Sequence, residues 1–239
     1  MHIVVASDVL TRALQSLKGA SRTDPNNQLL SCVLIEAEGG EVRLSASSTA
    51  LQLTRRLEDA RIEAEGRVAT PLSELLSVAR RLPKNAVSEL HAHSRTQIRL
   101  ACNNRSVYEF ALHAGDDFPV LEHDGELDRT GINAVALHQL LANVAHASDD
   151  SGVMPQLAGV HLDQVDDRAR AVAANGHRLA LFDIPGIRLN LPEDGVIVPN
   201  GTVREIIRLT GESQLCTCNA NGRSIRIDTD RETLIAKLI

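Results

Sequence analysis

The adjacent pair His177-Arg178 carries the side-chain types of an acid/base couple or a phosphate clamp. No carboxylate, serine or cysteine accompanies it at a useful spacing, so the pair does not assemble a catalytic site. A plainer reading is a strand turn, in which Asn175-Gly176 permits positive backbone dihedrals and His177 packs locally. Cys216-Thr-Cys218 falls in a strand pattern that sends both thiols to one face, and His91-Ala-His93 has the same spacing. Structural zinc calls for a second pair at a recognisable spacing, and none is written here. No metal and no cofactor are therefore expected. Cys32, Cys102, Cys216 and Cys218 read as small buried hydrophobes of a reducing compartment.

The elements that position these residues are duplicated. Gly66-Arg-Val-Ala-Thr-Pro-Leu-Ser-Glu-Leu-Leu76 and Gly195-Val-Ile-Val-Pro-Asn-Gly-Thr-Val-Arg-Glu-Ile-Ile207 each read as an apolar strand, a proline, a capping hydroxyl and an amphipathic helix. Pro71 recurs at Pro199, the strand Gln97–Asn103 recurs as Ser224–Asp230, and Ser106–His113 recurs as Glu232–Ile239. A repeat of this length fixes an architecture of two equivalent units. The second copy is complete at Ile239, so the chain is expected to end there.

Each unit opens with a strand and a helix. Asp8 is placed to cap a helix bearing Val9, Leu10, Ala13, Leu14 and Leu17 at the 3.6-residue period, and Val135 to Ala145 repeat that pattern. Strands are expected at Leu29–Ala37, Glu41–Ser47 and Leu51–Glu58, with Gly39-Gly40 as a tight turn, and again at Leu157–Val165, Arg170–Asn175 and His177–Ile184. Second helices follow at Ser73–Leu82 and Thr202–Leu209, with Ser73 and Thr202 as caps and Glu74 and Glu205 in the first turns. The expected class is α+β, two helices laid on antiparallel sheet in each of two tandem domains.

Charge is unevenly placed. Residues 1–115 hold fourteen basic and twelve acidic side chains, and residues 130–239 hold ten and thirteen. Between them, residues 116–129 contain Asp116, Asp117, Glu122, Asp124, Glu126 and Asp128 against Arg129 alone, the pattern of a solvated acidic linker. The net charge of −6 therefore leaves room for a local basic surface. Arg12, Lys18, Arg22, Arg80, Arg81, Lys84, Arg204 and Arg208 lie on or just beyond the helices. They form either an ordinary solvated face or one surface facing a phosphate backbone. The first helix of the second unit weakens that surface, since it offers His138 and His146 but no lysine or arginine. No apolar run reaches a membrane span and no signal peptide opens the chain, so a soluble cytoplasmic protein is expected.

The segment Ala173-Ala174-Asn175-Gly176-His177-Arg178-Leu179-Ala180, followed by Val196-Ile197-Val198-Pro199, closely resembles the bacterial sliding clamp family, the β subunit of DNA polymerase III. Asp117-Phe118-Pro119, Leu157-Ala-Gly159 and the terminal Ala236-Lys237-Leu238-Ile239 support the resemblance, which covers the whole chain. It implies tandem clamp-type domains at 1–115 and 130–239, and no enzyme. The family carries three such domains; this chain resembles the first two, and the third is expected to be absent. Six domains around a ring then imply three head-to-tail copies, a homotrimer.

The resemblance also implies sites. Leu157, Gly176, His177, Arg178 and Leu179 would line one wall of the pocket that takes a short partner peptide ending in Leu and Phe. Ala174 replaces the family's threonine there, and the remaining wall belongs to the missing domain. Tyr108 and Phe110, on the edge-strand candidate Ser106–Ala111, would meet a neighbouring copy near Leu238, where Glu232–Ile239 ends as an unpaired strand. Both rings could equally fill the core of the first unit. The implied function is a processivity factor that encircles duplex DNA without base readout and tethers DNA polymerase and other replication proteins. With no glycine-rich phosphate cradle in the chain, opening on DNA would need a separate ATP-dependent clamp loader. The alternative is a clamp-like interaction protein that does not close, and regulates replication by binding clamp partners or capping a clamp.

Overall fold

Alternating side chains set the first strand: in His2–Ala6 (β1), Ile3 and Val5 are buried while their neighbours are half-exposed. The computed structural model describes residues 1–84, 86–103, 106–151 and 154–239, and the chain divides into two units, Met1–Val120 and Leu121–Ile239. In the first unit β1 leads into α1 (Ser7–Ser16). Five strands follow: β2 (Cys32–Glu38), β3 (Glu41–Ser47), β4 (Leu51–Arg56), β5 (Arg61–Ala64) and β6 (Gly66–Pro71). Then come α2 (Leu72–Ala79), β7 (Val87–His91), β8 (Gln97–Cys102), β9 (Ser106–Ala111) and β10 (His113–Ala114). The second unit runs β11 (Ile132–Asn133), α3 (Ala134–Ala142), β12 (Gly159–Val165), β13 (Arg168–Ala174) and β14 (Leu179–Pro185). It continues with β15 (Val196–Pro199), α4 (Asn200–Gly211), β16 (Leu215–Ala220), β17 (Ser224–Asp228) and β18 (Glu232–Lys237).

The duplication is visible in the strand order. Hydrogen-bonded neighbours run β6-β2-β3-β4 in the first unit and β15-β12-β13-β14 in the second; a separate run is β1-β7-β8-β9 in the first and β11-β16-β17-β18 in the second. The antiparallel sheet of each unit thus comes in two runs, where the sequence reading drew one face. The helices pack against both: α1 lies on β1 and β7, while α2 touches β2, β6 and β9. The first unit adds β5 beside β1 and β10 beside β6. Leucine, isoleucine, valine and alanine fill the cores, with Phe110 and Phe118 as the buried aromatic rings of the first unit. Gly39 and Gly40 take φ of 59° and 81°, the left-handed pair that a two-residue hairpin between β2 and β3 requires.

Three expected caps are corrected. Asp8 is the second residue of α1 and its carboxylate pairs with Arg12 at 2.8 Å, leaving Ala6 at the cap with no side-chain bond. Ser73 and Thr202 both lie inside their helices, because each strand runs through a proline directly into the helix. Pro71 and Pro199 occupy the cap with φ of −55° and −60°. The ring pre-sets a dihedral compatible with both the strand end and the helix start, so no separate capping residue intervenes. Glu205 correspondingly falls beyond the first turn of α4. A side-chain cap does occur at Asn133, which accepts from the Val135 amide at 2.9 Å.

The acidic segment is less free than its composition implied. Phe118 is buried against Cys32, Leu34 and Ala69 of the first unit. Beyond Leu121 the chain is tied to the second unit. Asn219 accepts from the Asp128 amide at 2.7 Å and donates to the Asp128 carbonyl at 3.2 Å, Asn190 donates to the Glu126 carbonyl, and the His123 ring meets Ser224 Oγ at 2.8 Å.

Candidate nucleic-acid and partner-peptide surfaces

The turn between β13 and β14 is built by one side chain. Asn175 Oδ1 accepts the amides of His177 and Arg178, each at 3.1 Å, and the Asn175 amide donates to the Arg178 carbonyl at 3.2 Å. Gly176 takes φ of +84° with open space around it, so glycine serves the backbone conformation there and not a close approach. His177 and Arg178 are held outward and exposed, and Leu179 is 68% exposed at the start of β14. Antiparallel pairing places the start of β12 beside the end of β13, so half-buried Leu157, in the turn Pro155–Leu157, occupies the same end of the sheet.

Pairing also shows what the sequence reading missed. Ala174 lies opposite Leu179, Val172 opposite Leu181, and Arg170 opposite Asp183, so these six residues share the outer face. Leu181 is 50% exposed and extends the apolar strip begun by Leu179. The strip ends at a two-pronged ion pair, Arg170 Nε and Nη2 to the Asp183 carboxylate, both at 2.8 Å. The hydrogen bond from Arg170 holds the Asp183 carboxyl below the usual carboxylate range. The signal for Leu181 was present in the alternation Leu179-Ala-Leu181. It becomes legible only because β14 is an edge strand of its sheet among the described residues.

The basic residues separate into free and engaged groups. Thr11 Oγ1 donates to the Ala79 carbonyl at 3.1 Å, which sets the end of α2, with Arg80, Arg81 and Lys84 just beyond it, against the middle of α1 next to Arg12. Lys18 and Arg22 lie past the C-terminal end of α1. Lys18, Arg22, Arg80, Arg81 and Lys84 are exposed, and none is paired with a carboxylate among the described residues. In the second unit Arg204 is exposed, 3.9 Å from Asp150. Arg208 departs from the expectation: its guanidinium bonds Glu205 and the buried Glu232, each at 2.9 Å, tying α4 to β18. That charge is neutralised within its own unit, and Arg208 drops out of the candidate surface. His138 likewise turns inward, its Nδ1 donating to the Ile207 carbonyl at 2.9 Å.

The edge residues divide too. β9 closes its sheet among the described residues, with Val107 and Tyr108 exposed. Phe110 is 7% exposed and belongs to the core, because it lies opposite buried Ile98 on the inner face. An open groove of about 460 Å³ runs between β9 and α2, lined by Ser73, Glu74, Ser77, Val78 and Tyr108. Glu232–Ile239 is not an unpaired strand. β18 pairs with β17 along its length, and the Leu238 amide donates to the Arg223 carbonyl at 2.9 Å.

The cysteines remain buried: desolvation raises the Cys216 thiol to about 11, and desolvation with Cys216 alongside raises Cys218 to about 12. Asp228 works the other way. Burial pushes its carboxyl up, but the bonds from Arg226 and Thr233 outweigh that and leave it below its ordinary value. A group depressed in the folded state adds stability above its unfolded pKa of about 3.9, and that share is lost as pH falls through the lower folded value. The melting-temperature gap between wild type and Asp228→Asn should accordingly be widest near about pH 6 and shrink toward about pH 3. A gap independent of pH in a thermal melt series would show that Asp228 acts by packing alone.

Two equivalent α+β units in tandem, each with two helices on antiparallel sheet, define a protein of clamp-type fold. Comparison with known proteins gives the family. The model of the DNA polymerase III beta subunit N-terminal domain matches residues 1–122, and that of its central domain matches residues 131–239. The chain belongs to the DNA polymerase III beta subunit family.

Its similarity to the beta sliding clamp of Caulobacter vibrioides is 28% identity over 246 residues, covering all of this chain and 65% of that protein. The beta sliding clamp of Pseudomonas aeruginosa is 26% identical over 242 residues with the same coverage. A solved Caulobacter crescentus beta sliding clamp superposes with a TM-score of 0.93 at 25% identity, and the Pseudomonas aeruginosa DNA polymerase III subunit beta with 0.90 at 26%; each match covers all of this chain and 65% of the other. The chain thus spans about 65% of the length of the curated relatives it matches. Among the described residues, no helix is long and apolar enough to cross a membrane.

Proposed function

We propose that the chain acts as a sliding clamp subunit, encircling duplex DNA and tethering a DNA polymerase. Family membership over both units carries this reading. Lys18, Arg22, Arg80, Arg81 and Lys84, with Arg12, in the first unit, and Arg204 in the second, supply sequence-independent, salt-sensitive phosphate contacts. Leu157, Gly176, His177, Arg178 and Leu179, extended by Leu181, form one wall of a pocket for a partner's short linear peptide. An ATP-dependent loader opens the ring, and the cytoplasm is where the ring meets replicating DNA.

The ring is a homotrimer of six domains joined head to tail. The exposed edge of β9, with Val107 and Tyr108, meets the edge of β14 in the next copy. Neither strand carries lysine and β9 carries no proline, so only the single charges Glu109 and Asp183 and the terminal Pro185 oppose pairing at these edges. A neighbour on β14 would sit beside the Asn175-Gly176 turn and complete the peptide pocket.

Arg208 and the lack of basic residues on α3 favour a second reading, a clamp-like protein that binds partner peptides without enclosing DNA. Two measurements separate them. Light scattering at high micromolar concentration should give a trimer mass. Protein loaded on nicked circular DNA should be retained and then lost when the circle is linearised. A strict monomer that still binds clamp-partner peptides would replace the first reading with the second.

A further inference from the structure

The outer face of the β1–β7 strand pair carries a side-chain cluster that the clamp reading does not use. His2 and His91 are direct cross-strand partners, and their ring centroids are 4.8 Å apart. Glu89 lies diagonally across from His2 on the same face, with Oε2 at 3.9 Å from His2 Nε2. That nitrogen is buried and has no hydrogen-bond partner. A buried imidazole nitrogen without a partner is costly and calls for a ligand. His93 stands next in line, its ring 6.2 Å from that of His91.

We propose that His2, His91 and Glu89 form a site for a divalent transition metal of the zinc, nickel and copper class, which clips β1 to β7. Imidazole nitrogens about 2.0–2.1 Å from a tetrahedral zinc place two ring centroids roughly 5 Å apart, close to the separation here. The same geometry sets neighbouring donor atoms about 3.4 Å apart, so the Glu89 oxygen has about half an ångström to close. Among the described residues no three His, Cys, Asp or Glu side chains already surround a common point, and the site forms by that side-chain movement. The buried cysteines do not compete, since Cys216 and Cys218 stay protonated near neutral pH.

The test titrates the chelator-stripped, untagged chain with Zn²⁺, and separately Ni²⁺, by calorimetry at about pH 8. One ion per chain should bind. His2→Gln and His91→Gln should each weaken binding by about 10-fold or more, and Glu89→Gln by less. His146→Gln, an exposed histidine elsewhere, should bind as wild type. Hydrogen exchange supplies the second readout: metal should slow exchange of β1 and β7 amides in wild type and not in His91→Gln. Absence of saturable binding, or equal affinity in wild type and both histidine variants, would overturn the site. Neither result bears on clamp function, because the cluster includes no residue assigned to DNA, peptide or subunit contact.

Discussion

A chain carrying Leu179→Asp should lose capture of clamp-partner peptides while melting at the wild-type temperature. Leu179 is 68% exposed in the isolated chain, so the change removes almost no packing, and surface substitutions of this kind stay within about 0.5 kcal/mol. In the bound state the same side chain would be covered by an apolar peptide residue, worth about 1.5–3 kcal/mol. The aspartate would instead be desolvated without a partner, so affinity should fall by about 100-fold or more. Fluorescence polarisation of a labelled peptide ending in Leu-Phe, read against wild type, measures the difference. Unchanged affinity would move the peptide site away from the β13–β14 turn. Leu181→Asp should show a smaller loss if the strip is continuous along β14.

Replacing Gly159 by valine should produce the largest stability loss of any single change considered. Gly159 pairs with Pro199 where β12 meets β15, and a Cβ at that position would overlap the Val198 carbonyl oxygen and press on Ile197. The obstacle is backbone and cannot rotate away, so the strands must separate, at a cost of about 3 kcal/mol. That corresponds to a fall of roughly 6–12 °C in the melting temperature of a chain of 239 residues. Gly201, an early residue of α4 with nothing within 4 Å of a built Cβ, is the matched control. Gly201→Ala should leave the melt unchanged or raise it slightly, because alanine reduces the freedom of the unfolded chain by about 0.4–1 kcal/mol. Equal losses in the two variants would argue against the close approach at Gly159.

Position-specific findings separate the legible from the hidden. The strand β3 was readable to the residue, since Glu41–Ser47 alternates cleanly after the Gly39-Gly40 turn. The helix starts were not, because a capping hydroxyl and a proline compete for the same boundary and the proline prevails at both Pro71 and Pro199. Among the cations, Arg204 and Arg208 look alike in sequence, one helical turn apart. Only the partner strand decides between them: Glu232 on β18 reaches Arg208 and leaves Arg204 toward solvent. Tyr108 and Phe110 are similarly equivalent on paper. The end of β9 buries one in the core and exposes the other along the α2 groove.

The duplication, the α+β class and the turn motif that marks the family are legible in residue order alone. These depend on local periodicity, on the dihedral freedom of glycine and proline, and on residue order along the chain. Tertiary structure alone decided which charges are free, which edges are open and which leucines face solvent. Those properties belong to pairs of residues brought together across strands and helices, such as Val172 with Leu181 or Arg208 with Glu232, and no spacing along the chain encodes the pairing.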